Sequence, residues 1–192
     1  MKEVLPIIVT SIITLIATLV GFWAQALIQL LLDKKGSLKI YRKIVYQKKT
    51  NGATWGVIKN TNGNGMYFSV PLWIEVQNTK NISEIIRNFN IILYKDNIFL
   101  RKMVQVSHYG ESNDEFYGDS GKYSFIIPPK SIQRYDLQFI LHHKDSQTDF
   151  DEIKVSYFDS SDNEQIFSLK KVPKSWTPYG GKIDNDWILL KK

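Results

Sequence analysis

The chain has 192 residues, of which 43% are hydrophobic and 13% aromatic, with no cysteine and a formal charge of +6. This is enough apolar material for one real core, and the absence of cysteine excludes a disulfide-stapled scaffold. The charge is not spread: residues 33–49 hold seven Lys or Arg against one Asp, whereas residues 50–192 hold 17 of each sign. That neutrality argues against nucleic acid, whose partners carry basic charge across the folded domain.

Residues Val4 to Leu32 carry no charge. Leu5 to Trp23 supplies the roughly 20 apolar residues that a bilayer core requires. Pro6 falls in the first turn, where a missing N–H costs little, and Trp23 is placed as an interfacial anchor. Ala24 to Leu32 continues the helical pattern with Gln25 and Gln29, and reads as turns in the headgroup zone or as the result of tilt. A cleaved signal peptide ending at Ala24-Gln25-Ala26 is the competing reading. The apolar stretch is too long for it, and Lys2 is offset by Glu3. We therefore expect a single transmembrane helix. One of its faces collects Ser11, Thr14, Thr18, Gly21 and Gln25 at spacings of three and four. Small and polar residues favour helix–helix contact in lipid, which predicts self-association or pairing with another membrane protein. The alternative is that the hydroxyls satisfy themselves on the carbonyl four residues back.

Lys34, Lys35, Lys39, Arg42, Lys43, Lys48 and Lys49 follow the helix directly. Basic loops stay inside, so the N-terminus is expected outside and the remaining domain in the cytoplasm. The same residues are expected to contact anionic lipid, at about 1 kcal/mol each.

After Gly36-Ser37 the periodicity changes from helical to alternating, the signature of strands. Leu38, Ile40, Arg42, Ile44 and Tyr46 share one face of the first. Thr54 to Lys59 is short and strand-like. Met66 to Asn78 is strong, with Phe68, Val70, Leu72, Ile74 and Val76 on one face, and Pro71 suggests an edge or a bulge. Ile86 to Tyr94 and Ile98 to Val106 form a hairpin about Lys95-Asp96-Asn97. Ser107 to Gly121 is polar and reads as a long loop. Tyr123 to Ile127, Ile132 to Leu141, Phe150 to Phe158 and Gln165 to Lys170 complete the set. Short strands at this spacing, with no βαβ pattern, predict a mainly β fold: an antiparallel β-sandwich preceded by the helix. A small barrel is the alternative. The order of strands and turns resembles generic Ig-like sandwiches, without their Cys–Trp–Cys pin. The expected organisation is an anchor over 1–35, a β-sandwich over 36–172 and an aromatic tail over 173–192 packed on the domain. Pro173, Pro178, Gly180 and Gly181 predict no regular structure in that tail.

Catalytic motifs are missing: there is no glycine-rich phosphate loop, nucleophile elbow or metal-spaced Cys/His set. His142 and His143 are adjacent on an expected strand and so face opposite sides. No cofactor is expected. Aromatics in polar surroundings, Tyr109, Phe116, Tyr117, Trp176 and Trp187, are the candidate partner contacts. The function expected is a non-enzymatic binding or sensing module held at the inner face of a membrane, bacterial by its Lys-, Asn- and Ile-rich composition. The layout, a membrane segment joined to a β-rich sensing domain, also resembles the general plan of small bacterial anti-phage effectors. That resemblance implies helices that cluster or perturb the bilayer when the β domain is triggered.

Overall fold

The structure, a computed structural model, describes residues 4–45, 55–59, 65–108, 115–117, 123–178 and 180–191. One helix, α1 (Val4–Lys34), precedes twelve strands among the described residues, numbered in chain order. The fold is mainly β, in two antiparallel sheets. The first sheet runs β12 (Ile188–Lys191), β1 (Leu38–Ile44), β3 (Met66–Asn78), β9 (Ser131–His142), β6 (Val104–His108) and β7 (Glu115–Tyr117), with β2 (Gly56–Lys59) also on β3. The second runs β11 (Glu164–Lys171), β10 (Glu152–Phe158), β4 (Glu84–Lys95) and β5 (Ile98–Lys102), with β8 (Phe125–Ile127) on β4.

The alternation read from the sequence decides which side chains meet. Phe68, Val70, Leu72, Ile74 and Val76 of β3 are all fully buried, as are Ile91 of β4 and Val155 and Tyr157 of β10. The two inner faces supply one shared hydrophobic core. Phe89 of β4 joins them, with its ring 6.5 Å from Phe139 of β9 and stacked 6.0 Å from Tyr157. The β4–β5 turn places Asp96 and Asn97 at φ 50° and 64°. Two consecutive left-handed residues suit the twist of a tight hairpin, and after glycine, Asp and Asn tolerate them best.

Four features depart from the sequence reading. Pro71 sits in a central strand, just beyond the end of the β1 ladder, which covers Leu72–Asn78, and short of the β2 ladder, which covers Met66–Ser69. Opposite it, the Gln138 amide donates to the Tyr123 hydroxyl at 3.0 Å, away from β3. The N–H that proline lacks would have faced Val45, whose amide still donates to the Pro71 carbonyl at 3.1 Å, so the chain gives up one ladder bond where the β1 pairing ends. The apparent strand Ile98 to Val106 divides at buried Met103: β5 pairs with β4 in one sheet and β6 with β9 in the other. Glu115–Tyr117, inside the expected loop, pairs with β6. In the tail, Ile188–Lys191 forms a strand on β1 beyond the prolines and glycines.

Candidate membrane-anchoring site

Helix α1 contains a stretch, Ile8–Asp33, of 26 residues long and apolar enough to cross a membrane, none of it buried against the rest of the chain. At 1.5 Å per residue it measures about 39 Å, some 9 Å more than a hydrocarbon core. The excess falls at the Gln25 and Gln29 turns, where Gln29 Nε2 donates to Asp33 at 2.8 Å. Along the expected association face, the Thr14 hydroxyl donates to the Thr10 carbonyl at 2.9 Å and Thr18 to Thr14 at 2.8 Å. Both hydroxyls are thus satisfied within the helix. Ser11, Thr14, Thr18, Gly21 and Gln25 are all exposed, and a Cβ on Gly21 would meet nothing within 4 Å.

The helix is joined to the β domain by more than chain continuity. Gly36 stops it at φ +114°, and a Cβ there would lie 2.6 Å from the Thr79 carbonyl oxygen, so only glycine fits. The Ser37 amide donates to the Thr79 hydroxyl at 2.8 Å, and the Thr79 amide to the Ser37 carbonyl at 3.0 Å. Asn81 Nδ2 donates at 3.0 Å to the Leu32 carbonyl in the last turn of α1, which also accepts the Lys35 amide at 3.1 Å. Asn78 Nδ2 binds the carbonyls of Ile82, Ile127 and Pro128, and the Lys130 amide donates to the Lys80 carbonyl at 3.2 Å. The linker, the β3–β4 loop and the β8–β9 turn are therefore knitted together where the helix leaves the domain. No sequence motif announces Thr79, Asn81 or Lys130; they read as ordinary loop residues.

The basic residues are not one set. Lys34 ends α1, and Lys35 is exposed. Lys39 and Lys43 lie on the outward-alternating positions of β1, where Lys43 Nζ donates to the Asn185 carbonyl at 3.0 Å. Lys48 and Lys49 lie outside the described residues. Arg42 corrects the expectation. It points inward with Leu38, Ile40 and Ile44 and is 7% exposed, so it cannot contact lipid. Its guanidinium pairs with the Asp184 carboxylate and donates to the Leu169 carbonyl at 3.2 Å. Asp184 also accepts the Ile44 amide at 2.9 Å and Lys170 Nζ at 2.9 Å. Burial pushes the Asp184 carboxyl up, but the Ile44 amide, Lys170 and Arg42 together outweigh it and hold the group below the ordinary carboxylate range. This cluster ties β1 of one sheet, β11 of the other and the C-terminal segment to each other.

The candidate partner contacts are dispersed. Tyr109 lies outside the described residues, and Phe116 and Tyr117 lie on β7. Trp176 is buried, with its indole N–H on the Thr148 carbonyl at 3.1 Å and its ring edge-on to Phe150 at 5.5 Å. It belongs to the core and offers no surface, which corrects that expectation. Trp187 is half-buried, 6.5 Å from Trp73, with the Arg134 guanidinium 5.1 Å above its ring. His143 leaves the strand for a short 3₁₀ turn and packs against Trp176. On the outer face of the second sheet, buried Glu152 accepts Ser168 at 2.6 Å and Lys171 at 3.2 Å. The Ser168 hydrogen bond leads in holding its carboxyl below the ordinary value, against burial and with help from Lys171 and Lys154. Among the described residues, no group of three or more His, Asp or Glu is arranged to hold a metal ion.

No protein-family model matches the sequence, and no curated protein is significantly similar to it. The X-ray structure of Northeast Structural Genomics Consortium target SoR45 is similar over 73% of this chain and 86% of that one, at 14% identity and a TM-score of 0.32. A likeness at that level carries no argument about function.

Proposed function

We propose that the chain is a single-pass membrane protein that holds a β-sandwich of Ig-like arrangement at the cytoplasmic face of a bacterial membrane, as a non-enzymatic binding or sensing module. The observation that carries this reading is α1: an apolar span of 26 residues with no protein against it, hydrogen-bonded at its end to a domain with its own core. Such a surface has no favourable place in water and the length of a membrane span. The sandwich reading is supported by the shared core between the two inner faces. The orientation is supported by Lys34, Lys35, Lys39, Lys43, Lys48 and Lys49, a basic excess that survives the loss of Arg42. In intact cells, protease added outside should leave the domain uncut, and a C-terminal reporter should read cytoplasmic. A shortened, secreted chain beginning near Leu27 would overturn anchor and orientation together.

A second reading, a membrane effector of the anti-phage kind, draws on the exposed Ser11–Gln25 face, where the open space at Gly21 admits close approach of another helix. Gly21→Leu or Thr18→Leu should then weaken crosslinking between full-length chains, and forced clustering should arrest growth. Unchanged crosslinking and growth would leave only the anchored module.

A further inference from the structure

Scattered exposed apolar side chains are ordinary on any protein and by themselves mean nothing. In the β domain they include Ile98 and Phe99 on the far hairpin and Ile166, Ile188 and Leu189 on β11 and β12, while four others gather at the end next to α1. Ile82 is 40% exposed in the loop bonded to the last turn of α1, beside Asn81. Ile126 is 69% exposed and pairs across strands with exposed Ile85. Ile132 is 60% exposed, opposite Gln77 of β3. Ile126 and Ile132 flank the Pro128–Lys130 turn, one on the outer face of each sheet. All four therefore surround the end of the domain from which the helix emerges. Lys35 and Lys130 are exposed within the same collar, and Lys130 Nζ donates to the Thr79 carbonyl at 2.6 Å.

We propose that this collar is a second membrane contact: Ile82, Ile85, Ile126 and Ile132 enter the headgroup zone of an anionic bilayer, and Lys35 and Lys130 lie on its phosphates. The proposal rests on the anchoring reading above. Two arguments select lipid as the occupant. The first is continuity: Asn81 holds the β3–β4 loop on the last turn of α1, so wherever that turn meets the bilayer surface the loop does too. Ile126 and Ile132 stand two residues from the adjoining turn, about 7 Å at a strand's rise, and the headgroup zone is about 5–7 Å deep on each side. The second is chemistry: isoleucines rimmed by lysines match a boundary that is apolar below and anionic above. The consequence is a domain held at a set tilt, presenting its far end, with the β4–β5 hairpin, to the cytoplasm.

The natural absence of cysteine makes the test direct. Full-length chains carrying Leu19→Cys, Ile126→Cys, Ile132→Cys or Phe99→Cys are each labelled with an environment-sensitive fluorophore and reconstituted in phosphatidylcholine–phosphatidylglycerol vesicles containing spin-labelled lipid. Phe99, exposed on the far hairpin, is the control. Deep quenching at position 19, shallow quenching with a blue shift at 126 and 132, and neither at 99 is the expected result. Quenching at 19 with 126 and 132 as unquenched as 99 overturns the collar and leaves the anchor standing. No quenching at 19 overturns the anchor and the collar with it. Disulfide-linked dimers through position 126 without lipid quenching would assign the surface to a second copy, and would also overturn the proposal.

Discussion

The apolar residues of α1 and those of the two sheets are the same side chains in opposite surroundings. Ile12, Ile16 and Leu19 are more than half exposed, whereas Ile40, Leu72 and Ile91 are fully buried. The inward-facing apolar residues of the sheets are buried in one shared core. The apolar residues of the helix are not: none of its apolar stretch is buried against the described residues. Stability should therefore reside in one region and location in the other, and substitutions should separate them.

The largest effect should come from the core. Phe139→Ala removes a ring that touches both Phe89 and Tyr123. It should cost about 3–5 kcal/mol of unfolding free energy, read by chemical denaturation of the full chain in micelles. Leu19→Ala should leave the same midpoint unchanged. Equal losses at both positions would break the division between the regions.

Next in size is the inter-sheet cluster. Asp184→Ala strands Arg42 without its carboxylate, at a cost of about 3 kcal/mol, the lower end for a broken buried pair because the Leu169 carbonyl still accepts from Arg42. The folded-state pKa of Asp184 is depressed. The stability it contributes is thus present above the unfolded value of about 3.9 and is lost as pH falls through the lower folded value. Acid titration of stability should show this loss in the parent and a smaller one in Asp184→Ala. Gly181→Ala sharpens the point: its Cβ would fall 2.2 Å from the Trp55 ring, so the C-terminal segment must shift, at about 1–3 kcal/mol.

The smallest effect concerns location alone. Lys35→Ala and Lys39→Ala should each weaken attraction to anionic vesicles by about 1 kcal/mol, more at low salt, with no change in denaturation midpoint. Arg42→Ala should do the reverse, lowering stability and leaving vesicle attraction nearly untouched. That inversion within one strand is the finest version of the comparison.

Much of this was legible in residue order. The helix, the alternation of β3 and β9 and the Asp96-Asn97 turn follow from local pattern. Arg42 was legible in part, since alternation places it with Leu38, Ile40 and Ile44. Its grouping with the surface lysines came from composition, and its partner Asp184 lies 142 residues away, where no local pattern reaches. The break at Met103 was hidden because strand-forming apolar residues continue on both sides of it, and local pattern does not say which sheet a strand joins. The strand Ile188–Lys191 was masked by the prolines and glycines before it, which govern only their own neighbourhood. For the collar, a signal existed: Ile126 and Ile132 are isoleucines out of phase with the core positions Ile127 and Leu137. The hydrogen bonds that gather them around the helix end depend on Asn78 and Asn81, which pattern alone cannot place.

The central claim is that the sheets bury their apolar residues in a core of their own and the helix does not. It is tested most directly by a chain beginning at Lys35, compared with the full-length protein in micelles by far-ultraviolet circular dichroism and denaturant melting. The truncated chain should stay soluble at high salt, show a β-rich spectrum and melt at the midpoint of the full chain. An unfolded or aggregated product would contradict the account.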